Sequence, residues 1–218
     1  MSDAAGRRLR SVAAASGALA LAALASLGAL VAATRPASPP APEPRAVVTD
    51  APASPGVPLY VQADARWGGL PYAGGTVATS GCGLACAAMA WEALSGEACT
   101  PADLIAEVGD SCTVGGLNYM PAFCEWMEGR DPSLSHSGPY GDLARALSDL
   151  RAGRLVFGSL HGALRDGGRE YGGHLVLLAC IDGGIVTVHD PCEDRPVELD
   201  RPEFAGVSWD YFVSIGRG

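Results

Sequence analysis

GGHLVLLACIDGGIVTVHD, residues 172–190, reads as two β-strands joined by a tight turn. The apolar runs at 174–181 and 184–190 are rich in branched residues, and Asp182-Gly183-Gly184 between them carries hairpin turn chemistry. A three-residue loop, 181–183 or 182–184, sets His174 opposite residue 190 or residue 192. Asp190 then lies directly across or one diagonal away on the same face, close enough to reach an imidazole. A two-residue loop puts the two side chains on opposite faces unless a bulge intervenes. Register therefore decides whether His174 and Asp190 meet.

Working outward, LVFGSL (155–160), PVELD (196–200) and YFVSI (211–215) have the same strand character. The amino-terminal half is different. PLYVQA (58–63) alternates as a short strand, and a Gly-rich loop then leads to LACAAMAWEAL, part of a helix expected from about Gly83 to Leu94. Thr79 or Ser80 is its expected cap, and Ser95-Gly96 ends it. Being apolar nearly all round, it should be a buried central helix. Thr100-Pro101-Ala102-Asp103 opens a helix to about Val108, LNYMPAFCEWME reads as a third with Pro121 near its first turn, and GDLARALSDLRAG (141–153) as a fourth. Helices first and an antiparallel sheet after them make an α+β architecture, a helical lobe with its buried helix packed on a sheet lobe.

Cys82 stands at the mouth of the buried helix, where the positive end of the helix dipole favours a thiolate. With a histidine to take its proton and a carboxylate to orient that histidine, Cys82, His174 and Asp190 form a nucleophile, base and orienter. Gly81 and Gly83 fit a backbone that approaches substrate and leaves the sulfur uncrowded. Cys86, one turn further in, lacks free amides to hold an oxyanion and reads as a core thiol or bridge member. An acyl-transfer site also needs an oxyanion donor, and Gln62 is either that donor or an ordinary exposed strand glutamine. The other histidines are weaker: His136 lies in a Ser/Pro loop, His161 has no evident partner, and His189 should face away from Asp190.

The formal net charge is −9 and every basic residue is Arg, clustered only in the first ten positions, which argues against nucleic acid as a partner. Arg7, Arg8 and Arg10 precede an uncharged Ala/Leu run from Val12 to Ala33. That is an export segment. Its length exceeds the roughly 18 residues of a membrane span, while its weak hydrophobicity and the Val31/Ala33 pair suit a cleavage site. Residues 1–33 are therefore either a cleaved signal or a membrane anchor through 12–33, and the domain beyond is expected at the cell surface or outside the cell. Pro and Ala dominate 34–57, an extended spacer, so the functional domain should occupy 58–218. Seven cysteines in an exported chain suggest disulfides, and the odd count suits one free nucleophile. Without Cys-x-x-Cys pairs, neither a metal nor another cofactor is expected.

Gln-x-Asp-x-x-Trp (62–67), Ser-Gly-Cys-Gly (80–83), Gly-Gly-His (172–174) and Asp-Pro (190–191) together resemble the C39-like branch of papain-fold cysteine peptidases, over about residues 57–190. The resemblance implies a papain-like fold, with Cys82 as nucleophile, His174 as base, Asp190 as orienter and Gln62 as oxyanion donor. Leader-trimming members usually front an ABC exporter and have Gln closer to Cys than Gln62 is to Cys82. Here no transporter sequence follows, so leader trimming is not implied. The expected activity is hydrolysis of a peptide or protein substrate by a monomer. A transpeptidase or acyltransferase using the same residues, and a non-catalytic peptide-binding surface module, are the rival readings.

Overall fold

The strand pair at 172–190 lies at the heart of a six-stranded antiparallel sheet in the computed structural model, which describes residues 56–218. In chain order the elements are β1 (Pro71–Tyr72), β2 (Gly75–Thr76), α1 (Val77–Ser80), α2 (Cys82–Ser95), α3 (Pro101–Val108), β3 (Thr113–Val114) and β4 (Leu117–Asn118). Then follow α4 (Met120–Arg130), β5 (Leu134–Tyr140), α5 (Leu143–Arg151), β6 (Leu155–Ala163), β7 (Glu170–Asp182), β8 (Ile185–His189), β9 (Val197–Leu199), α6 (Arg201–Gly206) and β10 (Trp209–Arg217). The large sheet has the order β5-β10-β6-β7-β8-β9, while β1-β2 and β3-β4 are small separate hairpins. Mixed helix and antiparallel sheet is thus the architecture, as the order of sequence patterns implies.

Alternation along β6 and β7 separates two cores. Phe157, Leu175 and Leu177 face one side, where Leu84, Met89 and Phe123 of the helices pack on them. Val156, Val176 and Leu178 face the other, covered by Leu147 and Leu150 of α5 and Phe204 of α6. Helix α2 is buried along most of its length, as its apolar run requires, and Gly96 in the left-handed conformation (φ 76°) stops it.

The β7-β8 turn has only two residues, Gly183 and Gly184, both at positive φ, with Asp182 paired to Ile185. A bulge between Leu178 and Cys180 then shifts the register, so that Leu177 opposes His189. Just beyond this last pair the side chains of His174 and Asp190 meet. The bulged two-residue hairpin is the arrangement adopted.

Several sequence expectations change. PLYVQA is not a strand: Val57, Leu59 and Val61 are buried with the alternation expected, but the segment reaches the sheet region through single bonds, Gln62 N to the Pro191 carbonyl at 2.8 Å and His189 Nδ1 to the Pro58 carbonyl at 2.9 Å. Neither Thr79 nor Ser80 caps α2. Both belong to α1, and the chain turns at Gly81, where a Cβ would come within 2.5 Å of the Val77 carbonyl oxygen. Residues 134–140, read as loop around His136, form edge strand β5, and Leu117–Asn118 pairs in a hairpin instead of opening α4. Helix α6, unexpected, carries its signal in plain view: Asp200 and Glu203 cap each other's backbone and Pro202 sits in the first turn.

None of the seven cysteines, all within the described residues, is in a disulfide. The expected export segment and the spacer up to residue 55 lie outside the described residues. Among the described residues no helix is long and apolar enough to cross a membrane.

Candidate active site

Cys82 is the first residue of α2 and is half-buried. Its helix is seated on the central strand one turn later, where the Cys86 thiol donates to the Leu175 carbonyl at 3.5 Å, next to His174. Burial pushes the Cys86 thiol well above its ordinary range, so it stays protonated. It is a core residue, in keeping with its mid-helix position.

His174 and Asp190 are both buried and touch: Nε2 of the ring lies 2.7 Å from Oδ1 of the carboxylate. With Nε2 engaged, Nδ1 is the nitrogen left for another partner. Burial alone would discharge the ring, but the hydrogen bond to Asp190, hydrogen bonding with Cys82 and the charges of both outweigh it. The His174 pKa is raised from 6.5 to about 9. Burial acts against the Asp190 charge in the same way, yet the contact with His174, the Cys192 backbone N–H at 2.8 Å and the Tyr171 hydroxyl hold its carboxyl below the usual range. The pair is therefore an imidazolium and a carboxylate at neutral pH.

Tyr171 is a member of this arrangement that sequence reasoning missed. Its ring stacks on His174 with centroids 4.0 Å apart and planes 12° from parallel, and its hydroxyl donates to Asp190 Oδ2 at 2.9 Å. Burial and the Asp190 charge raise its pKa, so it remains a donor. Three positions from His174, it would lie on the opposite face of a regular strand. A register shift in β6-β7, between the pairs Leu160–His174 and Gly162–Tyr171, lets both rings share one side.

Gln62 is buried, not exposed. Its Nε2 donates to the Ala78 carbonyl at 2.8 Å, and its Oε1 has no hydrogen-bond partner among the described residues. The Ala78 carbonyl is the group that Cys82 N–H would bond if α1 and α2 were one continuous helix. Gln62 occupies it at the break, which ties this amide to the amino-terminal end of the Cys82 helix. The second hydrogen on Nε2 remains available to a ligand.

Gly81 and Gly83 also make room for the protein itself. A Cβ on Gly83 would meet Asn118 Cβ at 2.5 Å, as one on Gly81 would meet Val77, so both glycines admit neighbouring protein atoms. Asn118 in turn is within reach of the nucleophile candidate, its Nδ2 lying 3.7 Å from Cys82 Sγ.

Each of the remaining histidines has a partner of its own. His136 pairs with Glu128 at 2.7 Å, and His189 is buried with Nδ1 on the Pro58 carbonyl. His161, expected to lack a partner, is bonded to Asp210 at 2.7 Å, because the β6-β10 pairing brings Trp209–Tyr211 alongside it. One group has metal-ligand spacing: single donor atoms of His174, Asp190 and Cys192 lie within 4.8 Å of one another. Two of these are already bonded to each other, and burial together with the Asp190 charge pushes the Cys192 thiol up to about 12, so the three suit a proton pair better than a metal.

Residues 55–216 match the model of the Peptidase_C39 like family, nearly the whole described chain. Among solved structures, a crystal structure of a C39-like peptidase from Bacillus anthracis matches with a TM-score of 0.51 at 17% sequence identity, covering 74% of this chain and 95% of that one. At that identity the likeness speaks for the fold. Comparison with curated proteins gave no match.

Proposed function

The chain belongs to the Peptidase_C39 like family, and from that premise we propose that it is an exported cysteine peptidase with a papain-like active site. Cys82 is the nucleophile, His174 the proton carrier, Asp190 its orienter and Gln62 the oxyanion donor. The observation that carries this reading is the buried His174–Asp190 contact of 2.7 Å, with hydrogen bonding to Cys82 at the start of α2 adding to the ring's positive charge.

The chemistry follows from the positions. His174 holds the proton as an imidazolium, and the Cys82 thiolate paired with it adds to the carbonyl carbon of a peptide bond. Charge gathers on the carbonyl oxygen, where the backbone N–H of Cys82 and the free Nε2 hydrogen of Gln62 are the donors. The imidazolium gives its proton to the leaving amine as the C–N bond breaks. Water, deprotonated by the now neutral His174, then opens the thioester, releasing the acid and restoring the thiolate–imidazolium pair. Asp190 keeps Nε2 occupied, so that Nδ1 alone serves the sulfur.

In this reading residues 1–33 export the chain or anchor it, 34–57 hold the domain away from the membrane, and 58–218 act on peptide or protein substrates as a monomer. The test is an unbiased peptide library incubated with the reduced full chain and read by mass spectrometry for new amino termini. Cleavage by the wild type that vanishes in His174→Ala supports the proposal. Equal cleavage by that variant sinks it.

A further inference from the structure

Asn118 is held in one orientation by the Ser80 carbonyl, and the Tyr72 hydroxyl complements it. The Ser80 carbonyl can only accept, and it lies 2.8 Å from Nδ2. The Tyr72 hydroxyl, 2.8 Å from Oδ1, stays protonated because burial and then the nearby thiols Cys112 and Cys82 raise its pKa, so it donates to the amide oxygen. A flipped amide would set Oδ1 against the Ser80 carbonyl oxygen and lose that bond. The second Nδ2 hydrogen is left for Cys82 Sγ, 3.7 Å away.

The surrounding chain makes room for this contact. Asn118 pairs with Thr113 across β3-β4, while Val114 and Leu117, paired on the other face, are 65% and 73% exposed. The hairpin thus turns its polar face inward and leaves its apolar face in water, the reverse of what burial alone favours. Gly83 leaves the space in which Asn118 lies against the first turn of α2.

We propose that Asn118 is a further catalytic residue, whose amide N–H holds the Cys82 sulfur as it becomes a thiolate. This role rests on Cys82 being the nucleophile. Bonding from a neutral donor strengthens when the acceptor gains charge, so the contact favours the thiolate over the thiol. The Tyr72–Asn118–Ser80 chain holds the donor in place as the sulfur gains charge.

The experiment is alkylation of the reduced full chain by iodoacetamide across a pH series, with the rate at each cysteine read by peptide mass spectrometry. Asn118→Leu should move the acid limb of the Cys82 rate upward by about one pH unit, about tenfold slower at a given acid pH, as expected for one lost bond to a charged group. Tyr72→Phe should move it the same way by less. A residue that only braced the Ser80 carbonyl would leave this limb in place, and superposable limbs in wild type and Asn118→Leu overturn the role. Fast labelling of the fully buried Cys86 and Cys124 would report a lost fold in Asn118→Leu. Tyr72→Phe then decides, its unmoved limb overturning the proposal. Wild-type Cys82 slower than the other cysteines would overturn the nucleophile and this role with it.

Discussion

Replacing Asp190 by Asn should discharge His174 at neutral pH. The ring's pKa stands at about 9 against an ordinary 6.5, although burial pulls it down, so the groups raising it supply about 3 kcal/mol net in favour of the imidazolium. The hydrogen bond to Asp190 is the largest of them. Asn is nearly the same shape and keeps an oxygen for Nε2 but carries no charge, so burial should prevail and the titration midpoint fall to 6.5 or below. Stability follows with a definite sign. A ring that binds its proton more tightly folded than unfolded stabilises the fold fully below pH 6.5 and loses that contribution as pH rises through about 9. Asp190, held low, contributes above its ordinary 3.8 and loses it in acid, so the pair is worth most between about pH 4 and 6.5. NMR of the ring resonances gives the midpoint, and urea unfolding at pH 6 and pH 9 gives the linkage. A wild-type midpoint at or below 6.5, or one unmoved by Asp190→Asn, would refute the reasoning.

Tyr171→Phe keeps the stack on His174 but strips the hydroxyl from a buried carboxylate, and should cost roughly 1–3 kcal/mol in urea unfolding at pH 7; unchanged stability would mean that the bond is idle. Gln62→Leu should reduce peptide turnover about 100-fold or more while leaving iodoacetamide labelling of Cys82 nearly unchanged, because alkylation forms no oxyanion; equal losses in both assays would assign Gln62 to packing. A tag after Gly218 should lie outside the cytoplasm, digestible by protease added to intact cells, and a protected tag in the cytosolic fraction would refute export.

The hydrophobic pattern made the α+β order, the buried helix and the central hairpin legible, since each depends on local periodicity. It left the His174–Asp190 meeting open between loop lengths, because the deciding feature, a bulge between Leu178 and Cys180, is a product of packing and has no residue signature here. Strand β5 was hidden by a polar sequence that pairs only along the sheet edge with β10. Asn118 and Tyr171 were illegible for a different reason. Asn118 reaches Cys82 from a hairpin far along the chain, and Tyr171 reaches His174 only through a register shift. By contrast, α6 could have been found from Asp200-x-x-Glu203 alone.

The central claim is that a substrate acyl group passes through the sulfur of Cys82. It is tested most directly by mixing the reduced full chain with peptide substrate, quenching in acid within a turnover, and mapping the added mass. The account predicts an acyl adduct on the peptide that contains Cys82, absent in Cys82→Ala, which should neither acylate nor cleave. An adduct on any other residue, or cleavage that persists in Cys82→Ala, would contradict it.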